Sequence, residues 1–360
     1  MHWDLFCRVV DNFGDIGVCW RLASDLASRG ERVRLWVDDA SALAWMAPGG
    51  AAGVKVLNWI AELGDSTGDG ASDGTSGDVV IEAFGCDPPH AFVQGMARRA
   101  VAPVWINLEY LSAEPAAERN HGLMSPQLSG PGKGLSKWFF YPGFTSGTGG
   151  LIREEGLPDA LQRFDPNAWL RNHGLERRPG ERIVSLFCYA NEAVPALLDS
   201  LATRPTLLLA TAGLAAQQVQ HILGSTPSRG ALRAVALPML TQQDFDHLLW
   251  ASDLNFVRGE DSFVRAQWAG IPFVWQIYPQ HDGAHALKLK AFLDRLLAGA
   301  EPMLVSDIRS LWLSWNGLSG QPIGAVDSEP WRRHCQAWRA GLLAQPDLSE
   351  QLLRFAAERR

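Results

Sequence analysis

Features that would mark several common protein classes are missing from this 360-residue chain. No apolar run approaches the ~18 residues that a membrane-spanning helix needs. The first residues lack a basic stretch followed by a long apolar one, so we expect no signal peptide. The five cysteines are odd in number, widely spaced and without a CxxC pair, which argues against a disulfide framework or a zinc site. We therefore expect a cytoplasmic protein in a reducing environment, with no membrane contact and no zinc site.

The chain also has fewer basic than acidic residues. The chain has 32 lysines and arginines against 39 acidic residues, a net charge of −7, so we expect no broad nucleic-acid-binding face. Hydrophobic residues make up 47% of the chain and charged residues 20%, which is an ordinary globular balance. The 15 tryptophans should lie mainly in the core or in pocket walls, because nothing else indicates a surface for stacking bases.

The glycine fingerprint of dinucleotide-binding enzymes is absent as well. The chain opens with a predicted strand (Leu5–Val10), a polar turn (Asp11–Asp15), a helix and a second strand (Val33–Val37) that ends at Asp38. A dinucleotide-binding protein would carry GxGxxG in the turn, whereas this one reads DNFGDIG. Its two carboxylates would lie where a pyrophosphate must bind. We therefore reject a dinucleotide site and interpret Asp38 as a solvated strand end.

The chain does contain one segment around which the rest is organised, Asn255–Tyr278. Its pattern predicts a buried strand (Leu254–Val257), a polar turn, a helix (Phe263–Ala269) stopped by a glycine, and a second buried strand (Phe273–Ile277). This is the crossover unit of a parallel sheet. The turn follows the carboxyl end of a strand and precedes a helix, and helix starts bind phosphate through free N–H groups and partial positive charge.

The residues of that turn favour a ligand site. Arg258 can present a forked cation to a phosphate, and Ser262 can donate its hydroxyl. Glu260 and Asp261 would repel phosphate and suit sugar hydroxyls or the first turn of the helix. The alternative interpretation is structural: Asp261 or Ser262 only caps the helix, and Arg258 pairs with Glu260.

Two successive blocks of alternating strand and helix predict an α/β protein with two doubly wound, Rossmann-like domains. We place an N-terminal domain at 1–150, a linker at 151–180 and a C-terminal domain, on whose side we expect a nucleotide-linked donor, at 181–344. The tail from 329 to 360 is predicted to be helical, and its last part, about 345–360, is expected to pack on the N-terminal domain. Because ligands of such sheets lie beyond the carboxyl ends of the strands, facing domains would enclose one cleft.

Several motifs resemble one family over nearly the whole chain. The sequence is similar to the bacterial elongation factor P–arginine rhamnosyltransferases, the EarP family. The segments that carry the resemblance are VVDNFGDIGVCWRLA (Val9–Ala23), WINLEYLSAE (Trp105–Glu114), FFYPGFTSGTGGL (Phe139–Leu151), SLFCY (Ser185–Tyr189) and NFVRGEDSFVRAQWAGIPFVWQIYPQ (Asn255–Gln280).

The resemblance implies a GT-B fold with two facing domains and an interdomain cleft, and an inverting glycosyltransferase that needs neither a metal nor a cofactor. It implies transfer of L-rhamnose from dTDP-β-L-rhamnose to one arginine of elongation factor P, the protein partner. The two acids of the family fall on Asp15, as the base, and Asp11, which would orient the guanidinium. The donor-site residues implied are Phe187, Tyr189, Arg258, Glu260, Asp261, Ser262, Gln276 and Tyr278.

One departure and several alternatives accompany this prediction. Met239 stands where we expect an aromatic residue beside the nucleobase. Asp15, taken alone, stands where a helix N-cap belongs. The closest alternative function is a GT-B glycosyltransferase with a small-molecule or glycan acceptor. A nucleotide-sugar-binding protein without catalysis and a dehydrogenase are the others.

Overall fold

The computed structural model describes residues 1–10, 13–59, 76–279, 283–324 and 328–360. The chain divides into two compact units. Met1–Glu155 and Gln345–Arg360 form the first unit, and Gly156–Ala344 forms the second. No helix within the described ranges is long and apolar enough to cross a membrane.

A seven-stranded sheet in the order β3-β2-β1-β4-β5-β7-β6 forms the centre of the first unit. All neighbouring strands are parallel except β6, which runs antiparallel to β7 at one edge. The elements are β1 (His2–Cys7), α1 (Gly14–Ser28), β2 (Arg32–Val37), α2 (Leu43–Met46), β3 (Val54–Asn58), β4 (Val79–Ala83), α3 (His90–Ala97), β5 (Val104–Leu108), α4 (Pro115–Asn120), β6 (Met124–Pro126) and β7 (Ser136–Phe140).

The first strand ends three residues earlier than its apolar pattern predicts. The prediction extended it to Val10, but pairing with β2 stops at Cys7 and Val10 is 71% exposed. The N–H of Val9 donates to Asp38 at 2.9 Å, and that of Val10 donates to Asp15 at 2.9 Å. Side-chain carboxylates thus replace the strand ladder at this point, so the chain leaves the sheet early.

The second unit contains a six-stranded sheet in the order β10-β11-β9-β8-β12-β13. Its strands are parallel except β10, which runs antiparallel to β11. The elements are α5 (Leu157–Arg163), α6 (Pro166–Asn172), β8 (Arg182–Leu186), α7 (Val194–Leu201), β9 (Thr206–Ala210), α8 (Leu214–Leu223), β10 (Ser228–Arg229), β11 (Leu232–Ala236), α9 (Gln242–Ala251), β12 (Leu254–Arg258), α10 (Asp261–Ala269), β13 (Phe273–Gln276), α11 (Ala284–Leu296), α12 (Pro302–Trp315) and α13 (Ser328–Leu343).

Each sheet reverses its strand order beside its first strand, between β1 and β4 in one unit and between β8 and β12 in the other. That reversal creates a crevice at the carboxyl edge, where ligands of doubly wound sheets bind. The cores are apolar, as the composition predicts: ten of the 15 tryptophans and all five free cysteines are buried.

The segment from 151 to 180, which we interpreted as a linker, contains α5 and α6, and Trp169 and Leu170 of α6 belong to a buried core cluster of the second unit. The tail is also more divided than expected. A final helix, α14 (Leu348–Ala357), follows α13 after a break at Pro346, and the side chain of Asp347 caps it by accepting the Glu350 N–H at 2.9 Å. The proline and the new cap explain why one predicted helix is two.

The last helix packs within the first unit. Phe355 contacts Trp138 and Phe140 edge-to-face, with ring centroids 5.7 and 5.4 Å apart. Asp347 accepts a hydrogen bond at 2.9 Å from Arg29, which follows the last residue of α1. A charged anchor at its start and an aromatic contact near its end therefore hold this helix against the N-terminal sheet.

Candidate active site

The carboxyl ends of three neighbouring strands meet in the second unit. Parallel pairing sets Phe256 beside Leu186 and Arg258 beside Gln276. The residues that follow β8, Phe187 to Tyr189, therefore lie next to the end of β12, and the N–H of Phe187 donates to the carbonyl of Phe256 at 2.9 Å. Three segments far apart in sequence form one edge at the switch point of the sheet.

Arg258 lies between two aromatic rings at this edge. Its guanidinium carbon is 4.5 Å from the Phe187 ring centroid and 4.3 Å from that of Tyr189. Its Nη1 is buried and has no hydrogen-bond partner within the described residues, where Arg258 also forms no ion pair. Burying a cationic N–H without an acceptor is costly, so the arrangement favours an incoming anion. The alternative in which Arg258 merely pairs with Glu260 is not what the structure contains.

The turn after Arg258 is closed by Ser262. Its hydroxyl accepts the N–H of Arg258 at 3.1 Å and donates to the carbonyl of the same residue. The side chain is buried, and its single donor is committed to this bond. Ser262 therefore shapes the turn, and donation of its hydroxyl to a phosphate would require that bond to break.

The two acids of the turn lie at the start of α10. Glu260 is the N-cap residue but its side chain makes no capping hydrogen bond, and Asp261 is the first helical residue. Asp261 lies 3.5 Å from the amide nitrogen of Gln242, at the start of α9. Asp261 therefore does not act as the side-chain cap that the structural alternative proposed. The helix ends at Gly270 with φ +64°, where an added Cβ would lie 2.9 Å from the Arg339 guanidinium, so the predicted glycine stop is confirmed.

Gln276 and Tyr278 complete this edge from β13. The side-chain oxygen of Gln276 accepts the N–H of Tyr189 at 2.8 Å, and its amide donates to the carbonyl of Ala190 at 3.3 Å. Tyr278 is 51% exposed and contacts the Tyr189 ring edge-to-face at 5.4 Å. Gln276 thus holds the aromatic segment in position, while Tyr278 is accessible at the surface.

Sequence reasoning missed one aromatic residue of this site. Phe245, on α9, packs edge-to-face on Phe187 with centroids 5.3 Å apart. We expected an aromatic residue at position 239. That position holds Met239, which is 47% exposed, and the aromatic residue beside Phe187 is Phe245 instead. The signal for Phe245 was its place one turn after the Thr241 cap, but only the packing of α9 on the strand ends identifies the contact.

In the first unit, Asp15 lies at the corresponding place, at the carboxyl end of β1. It is in the first turn of α1 and is only 4% exposed. Phe13 is the N-cap residue, with no side-chain capping bond, so Asp15 is not the N-cap that its sequence position indicated. One of its oxygens accepts the Val10 N–H at 2.9 Å and so braces the loop before the helix. Asp11, the other predicted acid, lies outside the described residues.

Two aromatic residues flank the same edge of the first sheet. Phe84 follows β4 and Tyr110 follows β5, and their rings stack 4.5 Å apart at an angle of 16°. Phe84 has φ +58°, the left-handed region that an aromatic residue rarely occupies. We did not predict a role for Phe84, because the sequence does not reveal that a phenylalanine has a positive φ.

The structure therefore brings all eight predicted donor-site residues to one edge of the second sheet, and Asp15 to the matching edge of the first. Within the described ranges, no group of three histidine, cysteine, aspartate or glutamate side chains is arranged to hold a metal ion.

Comparison with known proteins identifies the family. A model described as "Elongation-Factor P (EF-P) rhamnosyltransferase EarP" matches residues 3–357. Over 383 residues the chain is 43% identical to a protein-arginine rhamnosyltransferase of Pseudomonas aeruginosa, with 99% of each protein covered. It is 36% identical to a protein-arginine rhamnosyltransferase of Neisseria meningitidis serogroup B, covering 98% of this chain and 96% of that one. The chain belongs to the EarP family.

Solved structures agree with membership of the EarP family. One, solved to explain EarP-mediated arginine glycosylation of translation elongation factor EF-P, matches with a TM-score of 0.69 and 33% identity over 99% of both chains. The glycosyltransferase VinC in complex with dTDP matches at 0.52 with 16% identity, over 99% of this chain and 100% of that one, which shows the fold alone. The fold is GT-B, as predicted. The EarP-family chain is a rhamnosyltransferase enzyme, so the dehydrogenase alternative and the alternative of a binding protein without catalysis are wrong.

Proposed function

We propose that this chain transfers L-rhamnose from dTDP-β-L-rhamnose to one arginine of translation elongation factor P, with inversion to an α-linkage. In this proposal Asp15 is the base and Asp11 orients the guanidinium. The reaction takes place in the cytoplasm, where the translation factor works. The observation that supports the donor half best is Arg258, which lies between two aromatic rings and whose buried Nη1 has no acceptor among the described residues.

The donor is proposed to bind across the carboxyl edge of the second sheet. Arg258 and the N–H groups at the start of α10 would take the diphosphate, because both offer positive charge that is already in place. Phe187 and Tyr189 would pack against the thymidine, and Phe245 would support Phe187 from its other side. Glu260 and Asp261 would meet sugar hydroxyls, Gln276 would hold the Tyr189 segment, and Tyr278 would contact the diphosphate. Ser262 would act mainly by shaping the turn.

The acceptor poses a chemical problem that carboxylates can solve. A guanidinium has a pKa above about 12 and delocalised lone pairs, so it is a poor nucleophile. A carboxylate can bind it through paired hydrogen bonds but cannot deprotonate it in advance. Proton transfer must therefore be late: as the bond from nitrogen to the anomeric carbon forms, the nitrogen becomes acidic and its proton passes to Asp15.

The same step breaks the bond between the anomeric carbon and the diphosphate oxygen. The electron pair leaves with dTDP, whose added charge Arg258 and the helix start would stabilise. Attack from the opposite face accounts for the inversion. These groups supply the charge stabilisation that a divalent ion provides in other transferases, so we propose that the reaction needs no metal and no cofactor.

The intact mass of elongation factor P tests the proposal. After incubation with the chain and dTDP-rhamnose in metal-free buffer, we expect a gain of one deoxyhexose per acceptor. An acceptor whose target arginine is replaced by lysine is the control and should gain nothing. Modification of a small-molecule or glycan acceptor in place of the protein would favour the alternative glycosyltransferase. No transfer despite binding of dTDP-rhamnose would refute the acceptor half of the proposal.

A further inference from the structure

A cavity of about 350 Å³ opens at the opposite, amino edge of the second sheet. Its lining includes Arg182 at the start of β8, Arg204 just before β9 and Asp253 just before β12. Because the strands are parallel, their amino ends lie at the edge away from Arg258 and Gln276. The cavity is therefore separate from the proposed donor site, and neither the family nor the proposed reaction assigns it a role.

Cations outnumber anions in the cavity lining. Four arginines line it, namely Arg177, Arg182, Arg204 and Arg332, against two acids, Glu181 and Asp253. Both acids are already engaged. Asp253 accepts hydrogen bonds from Arg177 at 2.8 Å and Arg332 at 3.2 Å, and Glu181 is held at 2.6 Å by Arg233, which is not part of the lining.

Two of the lining arginines remain without a carboxylate partner among the residues described. Arg182 is half-buried and donates only to the hydroxyl of Thr206, at 3.0 Å, while Arg204 is exposed at the rim. Burial and, to a lesser degree, the nearby charge of Arg204 lower the pKa of Arg182 to about 10, and the charge of Asp253 acts in the opposite direction. Two like charges held together in this way favour an anion between them.

A tryptophan in the cavity lining also carries a hydrogen-bond donor without a partner. Trp331 lines the cavity and is 2% exposed, and its indole N–H is buried with no hydrogen-bond partner in the described structure. Buried tryptophan N–H groups normally find an acceptor, but those of Trp59, Trp312 and Trp315 also lack one in the described structure. What distinguishes Trp331 is that it lines the cavity, where a ligand could supply the acceptor. The remaining wall is apolar and includes Leu197, Phe256 and Leu311.

We propose that this cavity binds a small organic phosphate. The phosphate would lie between Arg182 and Arg204, whose planar guanidinium groups match its oxygens. Its compact organic part would fill the apolar wall, and one of its oxygens would accept the Trp331 N–H. The volume suits such a ligand, since it lies at the lower end of the range of about 300–1,000 Å³ for small-molecule pockets. The site would be occupied independently of the transfer reaction.

Calorimetric titration of the full chain with phenyl phosphate tests this proposal, with excess dTDP present to fill the donor side. We expect phenyl phosphate to bind, inorganic phosphate to bind more weakly and phenol not to bind. Replacing both cations, Arg182→Gln with Arg204→Gln, should weaken binding of phenyl phosphate by about tenfold or more. The matched control is Arg171→Gln, an exposed arginine on α6 of the same unit, which should leave affinity unchanged.

Two smaller variants keep the test valid if the double variant does not fold. Arg204→Gln alone changes an exposed side chain and should weaken binding by several-fold. Trp331→Phe removes the indole N–H while keeping an aromatic ring, and should also weaken binding. Phenyl phosphate that fails to bind the unmodified chain at millimolar concentration would overturn the proposal, as would equal affinity for the unmodified chain and the arginine variants.

Discussion

The two units place the same local structure at their carboxyl edges and give it opposite charge. In the first, α1 follows β1, and the buried group is a carboxylate, Asp15. In the second, β12 leads through a turn into α10, and the partly buried group is a guanidinium, Arg258. Asp15 accepts a backbone N–H, whereas Nη1 of Arg258 has no acceptor in the described structure.

Under the proposed function, that difference suits the two units to different substrates. A carboxylate braced by the backbone is ready for a cation such as a guanidinium, and an unsatisfied guanidinium is ready for a diphosphate. The sheet and helix supply only position, since both turns follow a central strand at the switch point. The turn residues supply the chemistry, so exchanging single side chains should separate the two roles.

The largest effect should come from the carboxylate. Asp15→Asn keeps an oxygen that can accept the Val10 N–H but removes the base, so we expect kcat to fall by about a thousandfold. Affinity for dTDP-rhamnose, measured by calorimetry, should not change. Asp38→Asn is the matched control, because Asp38 likewise accepts a backbone N–H, from Val9 at 2.9 Å. Substantial turnover by the Asp15 variant would show that another group takes the proton.

A change to the cation should affect the donor instead. Arg258→Gln removes a charged hydrogen-bond donor worth about 2 kcal/mol, so we expect dTDP to bind roughly thirtyfold more weakly. Arg258→Lys keeps the charge but not the planar group between the Phe187 and Tyr189 rings. Its affinity for dTDP should therefore lie between those of the unmodified chain and Arg258→Gln. Titration of dTDP into each variant measures this. Equal affinity in all three proteins would mean that Arg258 does not contact the diphosphate.

The groups that position the donor edge should matter next. Gln276→Leu leaves the buried N–H of Tyr189 without its acceptor, a loss of about 1–3 kcal/mol of unfolding free energy. We expect a lower melting temperature and weaker dTDP binding together. Gln276→Glu retains an oxygen for that N–H but loses the donor to the Ala190 carbonyl, so it should recover only part of the stability. If the leucine variant bound dTDP normally, Gln276 would be only a structural residue.

The amino edge of the second sheet should contribute stability and not catalysis. Burial alone would raise the pKa of Glu181, but hydrogen bonds from Arg233 and from the Arg178 N–H hold it below its ordinary value of 4.5. A depressed pKa means that the stabilisation is complete above pH 4.5 and is lost as the pH falls further. Glu181→Gln should therefore lower the unfolding free energy by about 2 kcal/mol at neutral pH. Below pH 4.5 the two proteins should differ less in unfolding free energy.

The control for this measurement is Asp199→Asn. Asp199 also pairs with an arginine, Arg229, at 2.6 Å, but its side chain is 68% exposed. Exposed pairs contribute little, so we expect almost no change. A pH-independent difference between the unmodified chain and Glu181→Gln in urea unfolding would contradict the assignment.

The smallest expected effect is that of chelation. If Arg258 and the start of α10 stabilise the leaving diphosphate, excess EDTA should not alter kcat or KM for dTDP-rhamnose. The control is a known metal-dependent glycosyltransferase treated in the same buffer. Strict dependence on a divalent ion would mean that the cationic turn is insufficient and would weaken the comparison between the two units.

Much of this arrangement is predictable because it is local. Apolar runs separated by glycine and polar turns predict β12, α10 and β13 to within one or two residues, since strand and helix patterns depend on neighbouring side chains. Errors occur where contacts distant in sequence compete with that pattern. Val9 leaves the strand because Asp38, 29 residues away, takes its N–H, and Phe245 joins the site because α9 packs across the strand ends.

The sequence by itself determined the fold class, the family and the identities of the acid and the cation at the two turns, because these follow from residue order and short-range pattern. Only the tertiary structure decided that Phe187 and Tyr189 enclose Arg258 and that four arginines line a cavity at the far edge. Strand order and burial set those contacts, and both arise from pairing between segments that are dozens of residues apart.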